Sequence, residues 1–153
     1  GAGTIFGVTG GLTEAVLRRL SEDKSRSALH TIAFTGVRGM EGVKETVIEN
    51  QGREIHIAVV SGLKNADTLI DKLLEGECRY DFIEVMACPG GCISGGGQPF
   101  TTAQGKKLRG EGLYRSDRMS SIKCSEENPA ITALYEGLLK GREHELLHVS
   151  YTS

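Results

Sequence analysis

The chain has 153 residues, 39% of them hydrophobic and 25% charged, with a formal net charge of −2. That size suits one domain with a sizeable core, and the near-neutral balance gives no basis for binding nucleic acid or an anionic membrane. No apolar run approaches the roughly 20 residues that span a bilayer, and the four cysteines lack the spacing of a secreted disulfide scaffold, so a reducing, cytoplasmic setting is expected.

The chain opens on Gly1-Ala2-Gly3 with no methionine and no signal peptide, and reads as a piece of something longer. Glycine-rich sequence through Gly11 runs into a helical pattern whose apolar positions are Leu12, Ala15, Val16 and Leu20. The G-x-G-x-x-x-G string is a weak dinucleotide signal, because no strand can be seen before it and Glu22-Asp23 lies in a polar linker. Thr31 to Gly36 reads as a strand. Val43 to Glu49 and Arg53 to Val60 read as a hairpin turning at Asn50-Gln51-Gly52. Asn65 is placed to cap a helix with the apolar face Ala66, Leu69, Ile70, Leu73 and Leu74, ended by Gly76. An apolar strand from Phe82 to Ala87 follows, and strand–helix–strand of this length suits a crossover to a parallel neighbour.

That strand feeds Cys88-Pro89-Gly90-Gly91-Cys92, a C-x3-C pair, and then Gly95-Gly96-Gly97. Ligands in α/β proteins bind where strand ends meet glycine-rich turns, and thiolates suit iron–sulfur clusters or zinc. Free amides in the turn, and the N-terminus of a helix starting at Cys92, would favour an anionic cluster. Two cysteines do not complete a four-thiolate site, and Cys78 and Cys124 are isolated, so spacing alone leaves a pair of free thiols as an equal reading. Thr101 to Ser120 is a basic helical stretch, a solvated face by default. Asn128-Pro129 starts a further helix with the apolar face Ile131, Leu134, Tyr135, Leu138 and Leu139, stopped at Gly141. The elements together predict an α/β fold over residues 1–153: a mixed, largely parallel sheet with flanking helices and a helical C-terminal region.

Near the end, His144-Glu145-Leu146-Leu147-His148 matches H-E-x-x-H, two histidines one helical turn apart. A zinc protease also needs a third ligand, and only Val149 to Ser153 follow, so this reading ranks last.

The string E-V-M-A-C-P-G-G-C-I-S-G-G-G-Q-P resembles the third cysteine motif of the iron-only ([FeFe]) hydrogenases. The opening G-A-G-T-I-F-G-V-T-G-G resembles another of that family's segments, with Leu12 and Thr13 where Val and Met are usual. The Asn128-Pro129 helix and histidine tail also resemble the family, with Glu126 at a usual histidine. The resemblance implies one lobe of the hydrogenase catalytic domain. It makes Cys88 a terminal ligand of a 4Fe–4S cluster and Cys92 the bridge to a two-iron centre. It makes Phe6 and Met86 part of the wall of the two-iron pocket. The cofactor implied is that six-iron assembly, the H-cluster, and the activity is reversible interconversion of hydrogen with protons and electrons. The T-S-C-C-P-x-W and M-P-C-x-x-K motifs, which carry the other ligands in the family, do not occur here. The chain is therefore expected to be the C-terminal part of such a domain and inactive alone. Its implied partners are the N-terminal remainder and a ferredoxin or NAD(P)-linked electron carrier, with dimerisation through exposed apolar surface a further expectation. A cytosolic iron–sulfur assembly protein or a hydrogenase-like sensor is the alternative.

Overall fold

The computed structural model describes residues 1–21 and 42–150. After a 3₁₀ turn at Ala2–Gly7 come α1 (Gly11–Leu20), β1 (Val43–Asn50), β2 (Arg53–Ser61), α2 (Leu63–Leu74) and β3 (Phe82–Met86). A single 3₁₀ turn at Cys92–Ser94 precedes α3 (Ala103–Met119), and α4 (Pro129–Glu136) and α5 (Glu143–Leu147) close the order. The strand expected at Thr31 to Gly36 lies outside the described residues.

The three strands form a mixed sheet in the order β1-β2-β3. β1 and β2 are antiparallel, Val43 opposite Val60 and Asn50 opposite Arg53. Gln51 and Gly52 both have positive φ, 52° and 75°, as a two-residue turn matched to strand twist requires. β2 and β3 run parallel, Ile57 beside Phe82 and Ser61 beside Met86, with α2 as the crossover. β2 is the central strand and is covered on both faces. Ile57 and Val59 pack on Leu17 of α1, while Ala58 and Val60 pack on Ala66 and Leu69 of α2. Side-chain alternation places Phe82, Glu84 and Met86 on one face of β3, and Glu84 there reaches α1.

Three expectations are corrected. The helix after β2 begins at Leu63 with Gly62 as its cap; Asn65 lies inside the first turn, and its amide donates to Ser61 O at 2.6 Å. α1 buries Thr13, Glu14, Leu17 and Arg18, whereas Leu12 and Leu20 are exposed. Its inward stripe is mostly polar because each polar group there has a buried partner: Thr13 bonds Glu84, and Arg18 bonds Glu14 and Asp117. α4 starts as expected, with Pro129 at its first turn and Asn128 Oδ1 accepting from Ala130 N at 3.0 Å, but it ends at Glu136, short of Gly141. Of its predicted apolar face only Leu139, beyond the helix end, is buried.

A third cluster lies off the sheet and joins distant stretches: Ile5 and Val8 from the opening turn, Ile93 from the cysteine turn, and Leu113 and Tyr114 from α3.

Candidate metal-cluster site

β3 ends at Met86 and delivers Cys88 and Cys92 in a turn that the rest of the fold holds from below. Gly62 N donates to Met86 O at 2.7 Å, and Gly90 N donates to the buried Ser61 Oγ at 2.7 Å, so the end of β2 fixes where the turn leaves the sheet. Within the turn, Gly91 N donates to Cys88 O at 2.8 Å, Ser94 N to Gly91 O and Gly95 N to Cys92 O. The expectation of free amides and a helix dipole at the cysteines is corrected by these bonds. The amides of Gly90, Gly91, Ser94 and Gly95 are spent inside the protein, and Cys92–Ser94 is one 3₁₀ turn rather than a helix start.

Two glycines in the turn are required by close approach. Gly91 has φ 86°, and a Cβ there would stand 2.7 Å from Gly7 O and 2.9 Å from Thr9 N. The cysteine turn is therefore seated backbone to backbone on the Phe6-to-Gly10 segment. A Cβ at Gly95 would stand 3.3 Å from Cys88 Sγ, so this glycine leaves room beside the thiol.

The opening segment is tied to the same strand by a buried carboxylate. Glu84 Oε1 accepts from Gly10 N at 2.7 Å, and Oε2 accepts from Thr13 N at 2.7 Å and Thr13 Oγ1 at 2.6 Å. Gly10 caps α1 with a left-handed conformation and has no side chain to offer, so Glu84 serves as the acceptor for the helix N-terminus across the fold. A carboxylate there is favoured both by the orphan amides and by the helix dipole. On the other side, Arg109 of α3 donates to Ile93 O at 3.1 Å and Pro99 O at 2.6 Å, pinning both ends of the glycine loop.

Arg18 is buried between two carboxylates, with Nη2 at 2.5 Å from Glu14 Oε1 and Nη1 and Nη2 at 2.8 and 2.7 Å from Asp117 Oδ1 and Oδ2. Burial alone would push the Asp117 carboxyl up; the bidentate Arg18 guanidinium outweighs it and holds that carboxyl below the usual range. For Arg18, burial disfavours the charge and the two carboxylates restore it, so its pKa is raised.

Of the expected site residues, Cys88 and Cys92 are free, exposed thiols on one turn, Met86 is half-buried at the end of β3, and Phe6 is exposed on the segment against which that turn is seated. Among the described residues no group of three or more His, Cys, Asp or Glu side chains could hold a metal ion. Two thiols clear of the fold suit two positions of a four-thiolate cluster and leave the others to residues outside this set. An open groove of about 570 Å³ lies behind the turn, lined by Val8, Thr9, Gly90 and Ile93 on one side and Lys107, Glu111 and Tyr114 on the other. Glu84, Ser61, Gly95 and Arg109 are the residues that sequence reasoning missed. For Glu84 a signal existed, a lone carboxylate in a strand otherwise apolar from Phe82 to Ala87.

The arrangement defines a class: an α/β lobe that presents a pair of free, exposed cysteines on one turn at a strand end. Residues 1–96 match the model of the iron only hydrogenase large subunit, C-terminal domain, and residues 104–153 match that of the iron hydrogenase small subunit. The chain belongs to the iron-only hydrogenase family. It is 38% identical to iron hydrogenase 1 of Clostridium pasteurianum over 99% of this chain and 28% of that one. It is 35% identical to cytosolic iron-sulfur assembly component 3 of Bos taurus over 95% of this chain and 31% of that one. Its structure superposes on a variant of the [FeFe]-hydrogenase HydA1 from Chlamydomonas reinhardtii with a TM-score of 0.67 and 34% identity, covering 96% of this chain and 45% of that one. The chain thus spans under a third of these two relatives and under half of the solved enzyme chain. Among the described residues no helix is long and apolar enough to cross a membrane.

Proposed function

We propose that this chain forms the cysteine-bearing lobe of an iron-only hydrogenase catalytic domain, which interconverts hydrogen with protons and electrons. The observation that carries the reading is the seating of the Cys88–Gly95 turn on the Gly7–Thr9 backbone, which draws the two motif-bearing segments into one site. Cys88 and Cys92 would hold the iron assembly through their thiolates, and Phe6 and Met86 would form part of the wall around it. When bound, the H-cluster supplies the bond-making and the electron reservoir. The chain's own work is positional. Ser61 and Arg109 fix the turn at its two ends, Gly95 leaves space at the Cys88 sulfur, and Glu84 holds the Phe6 segment in register with the strand. Electrons pass to a ferredoxin or NAD(P)-linked partner.

The second reading, iron–sulfur assembly without hydrogen turnover, is favoured by the 35% identity to the assembly component. One experiment separates the two. The complete catalytic domain, meaning this sequence with the cysteine motifs that complete the cluster, is matured anaerobically and compared with its Cys88→Ser and Cys92→Ser variants. Hydrogen evolution from reduced methyl viologen, with iron content and activity lost in both variants, is the expected result. A bound 4Fe–4S cluster with no hydrogen turnover moves the protein to the assembly reading. Full iron content in both variants overturns the ligand assignment. The 153-residue chain alone is expected to show no hydrogenase activity.

A further inference from the structure

The hydrogenase reading leaves His144 and His148 without a role. His144 lies in α5, and His148 follows its last residue with extended backbone, φ −115° and ψ 148°. Both rings are exposed and meet edge to face, their centroids 4.6 Å apart, with the two Nδ1 atoms at 2.7 Å. At that distance one ring donates its Nδ1–H to the other, the tautomer deciding which, so the two nitrogens face each other along the line between them.

We infer that His144 and His148 form a two-histidine chelate for a divalent ion of tetragonal geometry, Ni²⁺ or Cu²⁺, binding through both Nδ1 atoms. The separation discriminates between geometries. With metal–nitrogen bonds near 2.0 Å, two ligands on a tetrahedral ion stand about 3.3 Å apart, and two cis ligands on a square-planar or octahedral ion about 2.8 Å. The observed 2.7 Å is already close to the cis separation, so a tetragonal ion needs the exposed rings only to rotate until both Nδ1 lone pairs converge on it, whereas zinc would have to spread them as well. The displaced hydrogen moves to Nε2 by way of water, and two neutral imidazoles bind without net proton release.

The neighbouring carboxylates have other partners. Glu145 takes both of its oxygens to Arg142 at 3.0 and 2.8 Å, and Glu143 Oε1 accepts from Gly141 N at 3.2 Å. Water completes the coordination, so the site is exchangeable rather than structural. A bound ion clips α5 to the residue that ends it and stabilises that turn in proportion to its occupancy.

The probe is NiCl₂, added substoichiometrically to the full chain, with the imidazole C–H resonances followed by NMR. Cys88 and Cys92 are first alkylated with iodoacetamide, because their exposed thiols would otherwise take up the substoichiometric Ni²⁺, and paramagnetic broadening then reads each histidine separately. His144 and His148 are expected to broaden together and first, while His56 on β2 stays sharp. Because the second imidazole binds intramolecularly, His148→Asn should raise the Ni²⁺ concentration needed to broaden His144 at least ~10-fold, and His144→Asn should do the same to His148. Zn²⁺ should displace Ni²⁺ only in excess. Three results overturn the inference: equal broadening of His56, unchanged broadening of His144 in His148→Asn, or displacement by Zn²⁺ at equal concentration. All three side chains are exposed, so the variants test the site and not the fold.

Discussion

Glu84→Gln removes one charge and reverses one hydrogen-bonding group at a buried point where three donors converge. Oε2 accepts two bonds from Thr13 and Oε1 one from Gly10, all between 2.6 and 2.7 Å. The glutamine can keep both Thr13 bonds only by turning its amide NH₂ toward Gly10 N–H, which leaves a buried donor facing a donor. An unsatisfied buried donor costs about 1–3 kcal/mol. Loss of the negative charge at the start of α1 adds roughly 0.3–1 kcal/mol. The sum is a destabilisation of roughly 1.3–4 kcal/mol, concentrated at the junction that holds the Phe6 segment against β3. Urea unfolding should show a lower midpoint at unchanged slope, and hydrogen exchange at Gly10 should accelerate while the β2 amides stay protected. Thr13→Val should cost less, about 1 kcal/mol, and the double variant should cost less than the sum, since both changes act on one carboxylate. A Glu84→Gln protein within about 0.5 kcal/mol of the parent, or one with Gly10 exchange unchanged, refutes the clamp.

Gly91→Ala places a Cβ 2.7 Å from Gly7 O at a residue with φ 86°, and should cost about 2–4 kcal/mol in thermal or urea melts; parent-like stability would mean that the turn is not seated on Gly7. Gly95→Ala has no backbone strain, φ −73°, and crowds the Cys88 sulfur at 3.3 Å, so iodoacetamide labelling of Cys88, read by mass spectrometry, should slow with melting unchanged. Asp117 has a folded pKa below its unfolded value of about 3.9, so its contribution is fully present above that value and is lost as pH falls through the folded pKa. The stability gap between the parent and Asp117→Asn should therefore close below about pH 4, and a gap that persists at low pH would sink the ion-pair account. Chymotrypsin should cut after Phe100, fully exposed in a loop without regular structure, and the two pieces should co-elute in gel filtration; separation would show that the buried contacts across the cut do not hold them.

The sequence reveals the elements whose signals are local. The hairpin is legible from alternating apolar residues around Gln51-Gly52, the start of α4 from Asn128-Pro129, and the cysteine turn from its own residues. α1 is legible as a helix, but its orientation is not. Leu12, Ala15, Val16 and Leu20 form the apolar stripe, yet the helix turns Thr13, Glu14 and Arg18 inward, because their partners Glu84 and Asp117 lie 71 and 99 positions away along the chain. A periodicity argument ranks faces by hydropathy and cannot see a partner at that distance. The same holds for the cysteine turn, where glycines that suggest free amides prove to be committed to Ser61 and to the turn itself.

The match to two family models, meeting between residues 96 and 104, coincides with a division of labour in the fold. The first part carries every expected ligand and pocket residue, but it does not hold them in place unaided. α3, from the second part, supplies Arg109 to the loop beyond Cys92, packs Leu113 and Tyr114 on Ile5, Val8 and Ile93, and offers Asp117 to Arg18. Removing the Asp117 carboxylate, with α3 in place, would take from the buried Arg18 its bidentate partner. Breaking a buried ion pair from one side costs about 3–5 kcal/mol, more than any single surface contact in the chain provides. The small-subunit-like segment contributes no thiol; it covers the Ile5, Val8 and Ile93 cluster and so reinforces the Gly91 seat and the Glu84 clamp that join the two motif segments.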